Sequence, residues 1–424
     1  MKIMVVGGGG REHAIIKKLC ENKSVTQIYA LPGNGGISYD ATCVPIKATD
    51  IDSIVRFARG KAIDFAVIAP DDPLVLGAVD ALEAVGIPAF GPSKKAAIIE
   101  GSKVFSKGLM KKYAIPTARY DVFDDAQAAL RFLKTNDTYP IVIKADGLAL
   151  GKGVIIAQDY AQAQAAIRSI MSEKVFGESG NSVVIEEFLT GPEVSVLTFT
   201  DGKTLVPMVS AMDHKRALDG DKGLNTGGMG AIAPNPYYSE AIAKECMHSI
   251  FLPTLNAMNR EGRPFKGCLY FGLMLTSAGP KVIEYNCRFG DPETQVVLPL
   301  LNSDLLCIMQ AVVQERLSEV EVSFSDGAAC CVVLASGGYP QKYATGLPIK
   351  GLINGALKTA LVTHAGTKRE GDKLFTSGGR VLGVTAVAKT LQSSISDAYQ
   401  AAREISFEDM HYRTDIGQKG LQAN

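Results

Sequence analysis

The chain has no net charge, no C-x-x-C cysteine pair, few aromatic residues and no apolar run of membrane-spanning length. Each absence excludes something. Lysine plus arginine (44) balance aspartate plus glutamate (44), so nothing global draws the chain to nucleic acid or to an anionic membrane. Phosphate recognition must therefore be local. Without about 18 successive apolar residues no helix can span a bilayer. The opening M-K-I-M-V-V-G-G-G-G is too short in its apolar part, and too rich in glycine, to be a signal peptide. The cysteines are scattered, and adjacent Cys330 and Cys331 lie in an apolar strand-like run where a small buried hydrophobe is expected. A reduced, cytoplasmic setting follows. Aromatics make up 7% against 43 glycines, which suits an α/β protein rich in tight turns. The chain does have a 46% hydrophobic share over 424 residues, enough for several cores and too long for one.

Ile3–Val6 reads as a buried parallel strand, Gly7–Gly10 as a turn, and Arg11–Cys20 as a helix. Backbone N–H groups at such a helix start hold an anion. The spacing is not G-x-G-x-x-G, since the last position falls on Glu12 or His13. A single phosphate fits better than a dinucleotide, and Arg11 could add a direct charge contact. Gln27–Leu31 ends in a second glycine loop, Pro32–Gly36. Phe65–Ala69 is another strand, followed by P-D-D-P, which contains Asp71. Open α/β sheets bind ligands at these carboxyl ends.

Phe90–Ser93 reads as a link. A basic helix then runs from Glu100–Lys103 through Lys112, with Lys107, Lys111 and Lys112 expected on a solvated face. Tyr139–Lys144 is a strand ending in a lysine that is costly to bury without an anion. The hairpin that follows carries Gly147, Gly151, Lys152 and Gly153, and leads into the strand Val154–Ala157. It can close over phosphates with backbone donors, but it is not a Walker loop. Val183–Leu189 begins apolar and ends with paired acids. A long, weakly structured stretch covers Ala211–Arg216 and Gly223–Ala231, and such loops are often functional. Lys266–Leu275 and Lys281–Asn286 are strands. Alternation puts Glu284, Asn286 and Arg288 on one face. Two hard oxygen donors beside an arginine suit Mg²⁺ and phosphate, and an edge strand with a solvated polar face is the open alternative. Beyond about Asp326, strands and glycine turns alternate as in a compact mixed sheet.

The run R-F-G-D-P-E-T-Q (Arg288–Gln295) resembles the signature of the phosphoribosylamine–glycine ligase (glycinamide ribonucleotide synthetase) family of the ATP-grasp superfamily. Other segments resemble the same family in its own order, from G-G-G-G-R-E-H-A to H-Y-R-T-D-I-G. The resemblance implies a multidomain α/β and α+β fold. Residues 1–100 would form a parallel α/β domain, 101–325 an ATP-grasp core with a lid at about 120–190, and 326–424 a C-terminal mixed-sheet domain. It implies ATP binding by Lys103, Lys144, Gly151, Lys152, Gly153 and Asn225. Adenine would meet Glu186 and the backbone of Glu187, Phe188 and Leu189, and ribose would meet Glu193. Glu284 and Asn286 would hold Mg²⁺ or Mn²⁺, and Lys144, Asp213 and Arg288 would be catalytic. The substrate would be held by Gly9, Gly10, Arg11, Glu12, Asn34 and Gly35 on the first loops. Asp213, His214 and Lys215 would join them, together with Gly290, Asp291, Pro292 and Glu293.

The family commonly has G-P-E-A-P where this chain has A-P-D-D-P, leaving Asp71 as a shortened stand-in. Many ATP-grasp enzymes carry a metal-binding glutamate on the strand at 266–275, and here there is none. The implied reaction joins glycine to 5-phosphoribosylamine, consumes ATP and passes through a glycyl phosphate. The expected enzyme is a cytoplasmic monomer with small-molecule substrates and no nucleic-acid or membrane partner. Arg380 could approach the substrate or be structural.

Overall fold

The computed structural model describes residues 1–148 and 153–423. Near the N-terminus, five parallel strands lie in the order Thr42–Cys43, Gln27–Pro32, Lys2–Gly7, Phe65–Ile68, Ala89–Phe90. Parallel strands are covered on both faces and read as continuous apolar runs; Phe65–Ile68 is buried throughout. The turn after Lys2–Gly7 needs its glycine. Gly7 has φ +124°, and a Cβ there would strike the Glu12 side chain.

Two four-stranded antiparallel sheets follow. One is ordered Tyr120–Phe123, Val183–Glu187, Ile141–Ala145, Val154–Ala157, and the helices Ala126–Thr135 and Tyr160–Ile167 close a core of its own around Ile143, Ile167 and Val183. The other is ordered Leu205–Pro207, Glu193–Asp201, Lys266–Thr276, Gly279–Asn286. Its apolar residues Phe271, Val282 and Tyr285 share a cluster with Met4 and Val6 of the parallel sheet. The strand Gly279–Asn286 and the strand that leads into the first glycine loop are thus fixed to one core.

The third large sheet corrects the expectation of a weakly structured stretch at 211–231. Met212–Asp213 and Gly230–Ala233 are strands, and they join Ala328–Ala335, Arg380–Ala388 and Leu361–His364 in one antiparallel sheet. Arg216–Leu218 and Lys222–Asn225 pair as a two-stranded ribbon between them. The segment before 326 therefore contributes strands to the C-terminal sheet. The basic helix is also two helices, Lys94–Gly101 and Lys103–Lys112. They part at Ser102, whose Oγ accepts from the Phe105 N–H as an N-cap.

Candidate active site

The strand Gly279–Asn286 is organised by a β-bulge. Opposite Lys266–Thr276, Gly272 pairs with Glu284 and Leu273 with Val282, leaving Ile283 as the extra residue. Before the bulge Pro280 and Val282 are buried; after it Tyr285 and Cys287 are. Glu284, Asn286 and Arg288 are thereby turned together into a cleft, which an unbroken period of two from Val282 would not have done. The bulge also frees the Ile283 carbonyl, which accepts from Lys144 Nζ at 3.0 Å.

Glu284 is ringed by cations. Lys215 Nζ lies 3.7 Å from its carboxylate. Burial works to raise its pKa, but Lys215, Lys144, Lys103 and Arg288 hold it below the ordinary value. Asn286 Oδ1 accepts from Arg288 Nη2 at 3.2 Å. The described residues contain no cluster of three His, Cys, Asp or Glu that could form a protein-only metal cage. Two hard oxygens on one strand face, with cations placed to receive phosphate oxygens, fit a Mg²⁺ or Mn²⁺ that completes its shell from phosphate and water.

Arg288 is fixed from behind by Glu100, with Nη2 3.0 Å from Oε1. The other Glu100 oxygen accepts from the Cys287 N–H at 2.7 Å. Asp71 completes this environment; burial would raise its carboxyl, but Arg288 and Arg11 pull it below the ordinary range. The shortened P-D-D-P loop thus still supplies a carboxylate to this pair of arginines. Glu100 was not anticipated, although an acid closing the apolar run Ala96–Ile99 was a signal that something must pair with it.

Lys144 and the expected adenine-binding acid meet. Lys144 Nζ and Glu186 Oε1 are 3.1 Å apart, and Lys107 Nζ lies 3.1 Å from Glu186 Oε2. Lys107 corrects the expectation of a solvated face: it is 2% exposed and donates to Thr117 Oγ1 at 2.7 Å. Burial lowers its pKa to about 8. It lies one helical turn beyond Lys103, a spacing that places both on one face, whereas Lys111 and Lys112 are exposed. Lys103 Nζ reaches the Gly147 carbonyl at 2.7 Å, and Asp146 accepts from the Val104 N–H and Ser102 Oγ. Glu187 is held by Arg119 and Lys281. Phe188 is exposed, and the strand stops before it and Leu189. Glu193 lies 3.2 Å from Lys215 Nζ, and Asn225 stands in the two-stranded ribbon. Gly153 accepts from the Ala145 N–H; Gly151 and Lys152 lie outside the described residues.

A second cleft, of about 470 Å³, opens between the glycine loops and the C-terminal sheet. Gly8, Gly9 and Asn34 line it from one side, Asp291 from the middle, and Thr367 and Arg380 from the other. Arg380 lies 3.1 Å from Asp291 and donates to the Gly227, Gly228 and Asp291 carbonyls. Arg11 donates to the Phe289 carbonyl at 3.0 Å. Gly10 packs on Gln295, and Pro292 on Gly228. A Cβ at Gly290 would crowd the Glu293 carboxylate.

Five expected substrate ligands use polar atoms within the protein. Glu12 accepts from Arg11 and from the Gly9 N–H. Asn34 donates to the Gly8 and His364 carbonyls, while neighbouring Gly35 donates to the Thr367 carbonyl. Glu293 accepts from Ser195 and Tyr270 in the interior. His214 meets the Gly230 carbonyl and the Gly417 N–H, and burial lowers its pKa to about 4. Of these five, only Asn34 lines that cleft. Asp213 differs: its Oδ1 has no hydrogen-bond partner among the described residues. Burial and the neighbouring Glu293 push its carboxyl well above the ordinary range.

Comparison with known proteins agrees along the chain. Residues 1–100 match the N domain of phosphoribosylglycinamide synthetase, 101–294 its ATP-grasp (A) domain, and 329–419 its C domain. The phosphoribosylamine–glycine ligase of Caldanaerobacter subterraneus subsp. tengcongensis is 48% identical over 416 residues, 98% of this chain and 99% of that protein. A crystal structure of the Thermotoga maritima phosphoribosylamine–glycine ligase superposes with a TM-score of 0.85 at 34% identity, covering 98% of this chain and 100% of that one. The biotin carboxylase domain of Hydrogenobacter thermophilus 2-oxoglutarate carboxylase shares the fold alone: TM-score 0.74, 15% identity, 100% of this chain and 98% of that one. The chain belongs to the phosphoribosylglycinamide synthetase family, whose members are the ATP-grasp ligases named phosphoribosylamine–glycine ligases.

Proposed function

We propose that the chain joins glycine to 5-phosphoribosylamine in de novo purine synthesis, consuming ATP and releasing ADP and phosphate through a glycyl phosphate intermediate. One observation carries this reading. Glu284 and Asn286 share a cleft with Lys103, Lys144, Lys215 and Arg288, an arrangement suited to a triphosphate and a carboxylate that must meet. A Mg²⁺ or Mn²⁺ held by Glu284 and Asn286 would offset charge on the phosphate oxygens. The glycine carboxylate attacks the γ-phosphorus and ADP leaves; the amine then attacks the acyl carbon, and phosphate leaves carrying the proton that the amine gives up. Two anions cannot approach without neutralisation, so Lys144, Lys215 and Arg288 act through placed charge, and no protein nucleophile is required.

The phosphate of 5-phosphoribosylamine is assigned to the cleft of Gly8, Gly9 and Arg380, with Arg11 on its flank. Asp213 Oδ1, lacking a partner among the described residues, would accept from the amine. Glu186, anchored by Lys107 and Lys144, is assigned to the adenine amino group, and Glu193 to the ribose hydroxyls. Phosphate release measured with glycine and freshly generated 5-phosphoribosylamine, against other acid–amine pairs, tests the assignment. Release with another pair and none with this one would replace it with a different ATP-grasp ligation.

A further inference from the structure

The C-terminal sequence H-Y-R-T-D-I-G (His411–Gly417) has no part in the chemistry above, yet many of its polar groups converge on one segment, residues 214–221. His411 Nε2 meets the Ala217 carbonyl at 2.8 Å. The Arg413 guanidinium, 1% exposed, is held by both Asp415 oxygens at 2.7 and 2.8 Å. Its Nη1 donates to the Arg216 carbonyl at 3.1 Å and to Asp221 at 2.9 Å. The Thr414 N–H and hydroxyl both donate to Asp219, and Asp415 accepts from the Gly220 N–H. Gly417 N–H donates to His214, and Lys419 pairs with Asp221.

The segment so gripped is the ribbon of Arg216–Leu218 and Lys222–Asn225. Two strands alone are marginal in water, and this pair leaves Leu218 and Leu224 half exposed, so little apolar burial holds it. Its base is Lys215, whose carbonyl accepts from the Thr226 N–H and hydroxyl. Lys215 Nζ lies between Glu193, at 3.2 Å, and Glu284, at 3.7 Å. Only one peptide separates that lysine from the carbonyl that Arg413 holds.

We propose that Arg413 is a positioning residue for ligation: gripping the Arg216 carbonyl and the ribbon tip, it fixes Lys215 beside Glu284 in the reacting cleft. A lysine on an unanchored ribbon must lose rotamer and backbone freedom each time it meets the developing acyl phosphate. The loss therefore falls on the rate and leaves ATP binding largely intact. The proposal rests on the ATP-grasp reading of the cleft and does not depend on which acid and amine are joined.

The test is a double-mutant cycle on kcat, read on whichever acid–amine pair drives phosphate release by the wild type. Arg413→Lys keeps the charge and loses the fork, and should lower kcat about tenfold or more, with KM for ATP within about twofold. Asp219→Ala, at the exposed ribbon tip, removes the Thr414 contacts while leaving the buried arginine in place, and should lower kcat severalfold. In a Lys215→Met background both changes should lose most of their effect, because residues acting through one group are not additive. Undiminished kcat in folded Arg413→Lys, or full additivity with Lys215→Met, overturns the proposal. If Arg413→Lys does not fold, Asp219→Ala and its cycle decide in the same way. Failure of glycine and 5-phosphoribosylamine as the pair would sink the proposed reaction and leave this cycle readable.

Discussion

Acid should separate the C-terminal sheet from the rest of the molecule, because three of the five histidines are buried in the contacts that hold it. His13 Nδ1 accepts from the His364 N–H at 2.8 Å and its Nε2 meets Asp40 at 2.8 Å. His364 Nε2 meets the Gly355 carbonyl, and His214 Nε2 accepts from the Gly417 N–H. His13, His214 and His364 are 1%, 3% and 0% exposed. Burial lowers the pKa of His364 to about 3 and of His214 to about 4, and lowers that of His13 as well. A lowered folded pKa means that the opened chain, with histidine near 6.5, binds protons the native state refuses. Stability is then full above about pH 7 and lost as pH falls through 6.5 toward the folded values. Each histidine loses about 1.4 kcal/mol per pH unit, so at pH 5 His214 and His364 together forfeit about 4 kcal/mol, with His13 adding to it. That is a large part of the roughly 5–15 kcal/mol that holds a domain together. Asp40 does not oppose this: with its pKa lowered to about 2, its contribution is lost only below the ordinary carboxylate range. Hydrogen exchange at the His364 and Gly417 amides, at pH 7.5 and pH 5.0, measures the opening free energy directly. His364→Gln should roughly halve the pH-dependent loss. An opening free energy that changes by less than about 1 kcal/mol across that interval would refute the reasoning.

Three further outcomes are expected. Glu284→Ala should abolish ligation while leaving the circular dichroism spectrum and urea midpoint near wild type, since a half-exposed ligand contributes little to packing; near-normal turnover would remove the metal assignment. Lys107→Met leaves Glu186, 4% exposed, with only Lys144 beside it. Breaking a buried pair loses about 3–5 kcal/mol, reduced here to about 2–3 by the remaining lysine. A thermal midpoint equal to the wild type's would contradict that. A Cβ at Gly36 would overlap the His364 ring, so Gly36→Ala should loosen the glycine loop from the C-terminal strand at about 1–3 kcal/mol. It should raise KM for the phosphate-bearing substrate more than KM for ATP, and equal changes in the two constants would count against the proposed cleft.

Local pattern determined a good deal of this protein. The glycine turns at strand ends, the paired hard oxygens at Glu284 and Asn286 with Arg288 beyond them, and the lysine closing an apolar strand at Lys144 all follow from side-chain period and the cost of burying charge. Those terms act within a few residues, so they can be read from the chain alone. The remainder depended on what packs against what. Nothing local distinguishes Ile283 as the bulged residue, since a bulge is defined by the register of its partner strand. Lys107 and Lys111 look alike until Glu186 arrives from a distant strand to hold one of them. Met212–Asp213 and Gly230–Ala233 have too little length to declare themselves as strands; Gly230–Ala233 becomes one beside Ala328–Ala335, and Met212–Asp213 beside Gly230–Ala233. The second cleft exists because His364 and Thr367 dock onto the glycine loop Pro32–Gly36 of the first sheet, closing contacts more than 300 residues apart in sequence. Sequence determined which groups carry the chemistry; tertiary structure decided which of them face one another, because burial and long-range pairing belong to no single segment.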